Sequence, residues 1–169
     1  MTRFAPDFTK VSAGMKIFPR GDYELKVTKT KPIYYEKKDD EGDGTGDFVA
    51  ACQVNVEMVG QVGNDGQLDR KDEGESVAPL KLYIHSQKAW GMTKGMIMAI
   101  LGYTGEEEKD FNAAMADTDF SVEAGEGEEA VLGGSWARLE GQHFVGRLDK
   151  RSYKGREQQD VGTLQPVKS

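Results

Sequence analysis

The sequence predicts a β-rich domain in which three strands precede a helix and at least two strands follow it. Three observations carry that expectation. From Phe48 to Met58 every second residue is apolar, with Val49, Ala51, Gln53, Asn55 and Glu57 on the other parity, which is the period of a strand with one buried face. After His85 the apolar period lengthens to about 3.6 residues, which is that of a helix. Between the periodic stretches lie polar, Gly-rich segments of the kind that form turns.

The elements follow in order. Residues 1–18 carry Phe4, Phe8, Val11, Met15, Ile17 and Phe18 without a clean period, and are read as an N-terminal arm that packs on the core. The first strand alternates Tyr23, Leu25 and Val27 with Glu24, Lys26 and Thr28, and Pro32 makes it an edge or bends it there. Residues 36–46 (EKKDDEGDGTG) read as a hairpin connection. In the second strand Phe48, Ala50, Cys52, Val54, Val56 and Met58 are expected to face the core. Residues 60–76 form another polar loop turning at Asn64-Asp65-Gly66.

The third strand sets Leu80, Leu82 and Ile84 against Lys81, Tyr83 and His85. Then Trp90, Thr93, Ile97, Ile100 and Leu101 share a helical face, with Ser86 as N-cap and Gly102 as the stop. A second, weaker helix is expected near 106–116, its acidic first turn suiting the helix dipole. Residues 121–130 read as loop. From Ser135 the chain reads as strands again, one through Phe144, Gly146 and Leu148, with a turn at Tyr153-Lys154-Gly155-Arg156 and a last strand from Val161 to Leu164. The division is an arm over 1–18 and one domain over 19–167, with acidic insertions at 36–46, 60–76 and 105–130.

A chain of 169 residues suits one core of this kind. The start has no apolar stretch of signal-peptide type, and no apolar run reaches membrane-spanning length, so a soluble cytoplasmic protein is expected. The net charge of −7 is unevenly distributed. Residues 39–76 sum to −9 and residues 105–130 to −9, whereas residues 20–38 sum to +3 and residues 138–156 to +4. Acids therefore gather in segments read as loops and bases in segments read as strands, so an acidic chain can still own a basic face.

Catalytic patterns are missing. There is no phosphate loop of the strand–Gly-rich–helix type, no nucleophile elbow and no His-Glu-x-x-His helix. Asp39-Asp40-Glu41-Gly42-Asp43-Gly44 opens like a calcium loop, but Ala50 stands where the bidentate carboxylate is required. A solvated acidic loop is the better reading, and no metal or cofactor is expected. His85 and His143 fall on polar strand positions, where an exposed or hydrogen-bonded histidine outweighs a catalytic base. Cys52, the single cysteine, falls on the core parity. Trp90 is expected to anchor the core, and Met92, Met96 and Met98 to fill gaps in it. An enzyme is not expected, because no acid, base and nucleophile converge.

What remains is a constellation of cations and phenols. Single-strand binders track phosphates with cations and stack bases on aromatic faces. The first basic segment supplies Lys26, Lys29, Lys31, Tyr34, Tyr35, Lys37 and Lys38; the third strand supplies Lys81 and Tyr83. The last hairpin supplies Arg138, His143, Arg147, Lys150, Arg151, Tyr153, Lys154 and Arg156. The competing reading is an ordinary solvated β-face with lysines guarding its edges.

Four stretches carry a resemblance to a known family. They are Pro19-Arg20-Gly21-Asp22-Tyr23-Glu24-Leu25-Lys26-Val27, the strand from Val49 to Met58, Lys88-Ala89-Trp90 running on to Leu101-Gly102, and Leu139-Glu140-Gly141 with the strands that follow to Pro166. In order and spacing the chain resembles small OB-fold-like phage proteins of the single-stranded DNA-binding kind, found in replication and recombination gene clusters. The resemblance implies an OB-type five-stranded barrel with one or two packed helices and long acidic loops. It implies non-catalytic binding of single-stranded DNA in a phage-infected host cytoplasm, with phage replication and recombination proteins as further partners. The chain departs from many single-strand binders by ending in Gln165-Pro166-Val167-Lys168-Ser169 rather than an acidic tail. Homo-oligomerisation is left open, and the alternative function is a protein-interaction or assembly module.

Overall fold

The computed structural model describes residues 16–125 and 129–167, together with Arg3 and Ala5. Most of the expected arm over 1–18 therefore lies outside the described residues. The strands are β1 (Gly21–Lys38), β2 (Gly44–Val62), β3 (Leu68–Asp69), β4 (Ser76–Tyr83), β5 (Val122–Ala124), β6 (Ala130–Leu132), β7 (His143–Tyr153) and β8 (Arg156–Pro166). The helices are α1 (Gln87–Ile100) and α2 (Glu108–Ala114). A 3-10 turn at Gly105–Glu107 leads into α2, and another at Gly134–Leu139 stands where strand was expected from Ser135, so that β7 begins only at His143.

The protein is β-rich. One antiparallel sheet runs β3-β2-β1-β7-β8, and β4 also pairs with β2, on the edge away from β1. The sheet curls until Cα atoms of β4 and β8 come within 8 Å. Those two edges share no ladder among the described residues, so the sheet is not closed by hydrogen bonds as a full barrel would be. At one end the chain entering β1 is held between β8 and the loop before β4. Gln159 accepts the Phe18 N–H at 2.6 Å and donates to the Phe18 carbonyl at 3.2 Å, as a neighbouring strand would. Lys16 pairs with Asp72.

The expected strand faces are largely observed. Tyr23, Leu25 and Val27 are buried, as are Cys52, Val54, Val56 and Met58 on β2, Leu80 and Leu82 on β4, and Phe144 and Leu148 on β7. Each fully buried aliphatic or aromatic side chain contributes about 1.5–3 kcal/mol relative to an exposed one. α1 covers this core with Thr93, Ile97 and Ile100. Ser86 caps it, its side chain accepting from the Ala89 N–H at 3.3 Å. Gly102, at φ +93°, ends it in a conformation that costs a residue with a Cβ dearly. Pro32 sits on β1 past the last residue paired with β7, on a free edge, as a missing N–H requires.

Several expectations are corrected. Phe48 is exposed, because β2 runs beyond the core there; it packs instead on Tyr34, with ring centroids 5.5 Å apart. Trp90 does not anchor the core: it is 53% exposed, its indole N–H drawn to the backbone carbonyl of Ile84 at 2.7 Å. Met92 is exposed as well, whereas Met98 is buried. The segment 121–130, read as loop, contains the paired strands β5 and β6 beside β1. Residues 60–76 are not all loop either, since β2 extends to Val62 and pairs with β3 around the Gly66 turn. Cys52 is fully buried, and burial pushes its thiol up to about 12.

Candidate nucleic-acid interface

The candidate surface begins with a register shift in β1. Val27 pairs with Val56, but Lys29 pairs with Asn55, so Thr28 is an extra residue opposite β2. A one-residue bulge exchanges the two faces of a strand from that point on. Before it, Tyr23, Leu25 and Val27 face the core; after it, Thr30, Pro32 and Tyr34 do, opposite Val54, Cys52 and Ala50. Lys29, Lys31, Ile33 and Tyr35 are thereby turned to the outer face, with Lys26 before them.

The registers of three strands then compose this outer face row by row. Lys31 stands opposite Gln53, and Gln53 opposite Lys81. Ile33 stands opposite Ala51, and Ala51 opposite Tyr83. Lys29 faces Asn55, and Tyr35 faces Val49. None of these residues is acidic. Lys31 and Lys81 rise from strands two positions apart, roughly 10 Å at the backbone. Tyr35 is 52% and Tyr83 37% exposed, and the Tyr83 ring is held edge-on to His85 at 5.7 Å. Lys29, Lys31 and Lys81 are exposed and form no ion pair with a described residue. Cations two strands apart with two accessible rings between and beside them can hold a phosphate chain and stack its bases.

The other expected site residues fall elsewhere. Tyr34 is on the opposite face of β1 from Tyr35, against Phe48. Lys26 lies on the outer face between Glu57 and His143. Arg138 is exposed in the 3-10 turn before β7. Arg147 is engaged with Asp22 at 3.4 Å, next to the His143–Glu24 contact of 2.8 Å. Lys150, Arg151, Tyr153, Lys154 and Arg156 occupy the exposed tip of the β7–β8 hairpin. The tip turns on Lys154 at φ +49° and Gly155 at φ +75°, the two positive angles of a tight two-residue hairpin. Because β7 runs antiparallel to β1 and pairs only with Gly21 to Lys26, this tip projects past the start of β1, away from Lys31 and Tyr35.

Residues that sequence reading did not assign also belong to the rows. Gln53 and Asn55 lie between the lysines and are joined to one another at 2.9 Å. Their polar parity on β2 was visible, but the neighbours that make them part of a basic face were not. The acidic β1–β2 tip lies beyond Tyr35. There Asp39 folds inward on its own loop, accepting from the N–H groups of Glu41 at 2.9 Å and Asp43 at 2.8 Å. Among the described residues no cluster of His, Cys, Asp and Glu has the arrangement to hold a metal ion, and no helix is long and apolar enough to cross a membrane.

No protein-family model matches the chain, and no curated protein is significantly similar to it.

Proposed function

We propose that this protein binds single-stranded DNA, without catalysis, across the outer face of β1, β2 and β4. The observation that supports the reading best is the set of rows containing Lys29, Lys31, Lys81, Tyr35 and Tyr83, whose cross-strand partners are all uncharged or basic. We read the sheet as an OB-type barrel left partly open. In that architecture a helix follows the third of five main strands, and the second and third strands carry the oligonucleotide face. Here those strands are β2 and β4. Lys29, Lys31 and Lys81 neutralise phosphates, and Tyr35 and Tyr83 stack bases, each worth about 1–3 kcal/mol. A role in phage replication or recombination follows from the family resemblance alone.

The test is fluorescence anisotropy of labelled oligo-dT at 50 and 200 mM salt. Three neutralised phosphates give a log–log slope of about −2, which is roughly a 20-fold loss between those concentrations. Absence of binding at the lower salt overturns the proposal.

A further inference from the structure

On the other side of the sheet an apolar groove of about 310 Å³ opens between α1 and α2. Ile84 lines it, one residue beyond Tyr83 and so on the opposite parity, which separates the groove from the basic face. One wall is α1, where Trp90, Lys94 and Ile97 follow one another at helical spacing. The other is α2 and the turn after it, with Phe111 and Met115 four residues apart. Phe120 and Trp136, edge to face at 5.0 Å, complete the lining.

Two features distinguish this groove from an ordinary stretch of core surface. Trp90 remains 53% exposed, and its hydrogen bond to Ile84 holds the ring at the groove instead of letting it fold inward. The segment that supplies the α2 wall is also predominantly acidic. Before, within and after α2 the chain carries Glu106, Glu107, Asp110, Asp117 and Asp119, besides the paired Glu108, against Lys109. Lys94, the cation on the α1 wall, is already neutralised by Glu108 at 2.7 Å.

We propose that this groove docks an amphipathic helical segment of a partner protein, apolar on one side and bearing Lys or Arg along its flanks. Two walls with residues at helical spacing leave a channel into which the side-chain ridge of a third helix fits. The acidic α2 segment selects the charge of the occupant, favouring bases and repelling both acidic segments and nucleic acid. The groove and the basic face lie on opposite sides of the sheet, so both can be occupied together.

The test uses the full chain and a labelled 14-residue peptide of Leu and Lys with its leucines at helical spacing. Two controls accompany it: the same peptide with Glu for every Lys, and a permuted peptide of equal composition without the apolar stripe. The expected result is saturable binding of the striped Lys peptide, at least tenfold tighter than either control. Amide shifts on binding should gather at Trp90, Ile97, Phe111 and Met115. Asp110→Lys, at an exposed position, should weaken binding fivefold or more while leaving the thermal melt and the oligo-dT affinity unchanged, and Trp90→Ala should weaken it as much while leaving the oligo-dT affinity unchanged. Equal binding of the permuted peptide, or shifts confined to residues 36–76, overturns the proposal. So does a dimer of this chain that Trp90→Ala dissociates, or a peptide of residues 1–15 that fills the groove, since either names a different occupant.

Discussion

The outer face of the sheet has two ends that are both rich in bases and that present opposite chemistry. Toward the start of β1, Arg147 faces Asp22, His143 faces Glu24, and Arg20 approaches Asp149 at 3.9 Å. Further along, Lys29, Lys31 and Lys81 have the uncharged Asn55, Gln53, Ala51 and Tyr83 as cross-strand neighbours, and the nearby Glu140 is engaged by Thr30 at 2.9 Å rather than by a lysine. The exposed pairs at the first end add little stability, about 0–1 kcal/mol each. Their effect is on the field: a base with a carboxylate beside it has much less to offer a phosphate. Strand register, more than the number of bases, separates a neutralised surface from a receptive one.

The harshest way to break this contrast is to delete Thr28. Without the bulge residue, Lys29, Lys31 and Tyr35 turn to the core face and Thr30, Pro32 and Tyr34 turn outward. Turning lysines toward the half-buried core side where Thr30 and Pro32 stand costs stability, so the melting temperature should fall by several degrees and oligo-dT binding should disappear. A deletion with wild-type melting and binding would remove the bulge from the account.

Charge reversal sharpens the contrast without touching the core. Lys29→Glu, Lys31→Glu and Lys81→Glu together should lower oligo-dT affinity about 100-fold at low salt and flatten the salt slope toward zero. Arg147→Glu, at an already paired position, should change it by less than about threefold. Equal losses in the two variants would show a diffuse electrostatic surface. Next in size come the rings. Tyr35→Ala and Tyr83→Ala should each cost about 1–3 kcal/mol of binding. Tyr34→Ala should leave binding unchanged and lose only the Phe48 contact, worth about 0.5–1.5 kcal/mol of stability.

The smallest effect concerns Cys52, beneath the same rows on the core side. Its thiol is raised from 9.0 to about 12 by burial, so the folded state favours the protonated form. The stability this contributes is complete below the unfolded value near 9 and declines as pH rises toward 12. Denaturant melts at pH 8 and pH 10.5 should show lower stability at the higher pH, and a thiol reagent at pH 8 should react only on unfolding.

The sequence carried the local periods well and the pairings poorly. The alternation along Cys52 to Met58 is legible because one face of β2 is continuously buried. The caps at Ser86 and Gly102 are legible because they rest on chemistry within a few residues. The bulge at Thr28 leaves no mark, since threonine suits an ordinary strand position equally well. Without it, Lys29 and Lys31 fall on the same parity as Leu25 and Val27, and their outward direction cannot be read. The neutralisation of Arg147 depends on Asp22, 125 residues away. Trp90 was misread because a hydrogen bond to Ile84 outweighs its helical periodicity. The β5–β6 hairpin was hidden by a Gly- and Glu-rich composition.

The most direct measurement is photocrosslinking of the protein to bromodeoxyuridine-substituted single strands, with the attachment sites mapped by mass spectrometry. The account predicts adducts at Tyr35 and Tyr83, lost when Lys29, Lys31 and Lys81 are reversed. Adducts confined to Tyr34 or to Tyr153 at the hairpin tip would contradict it.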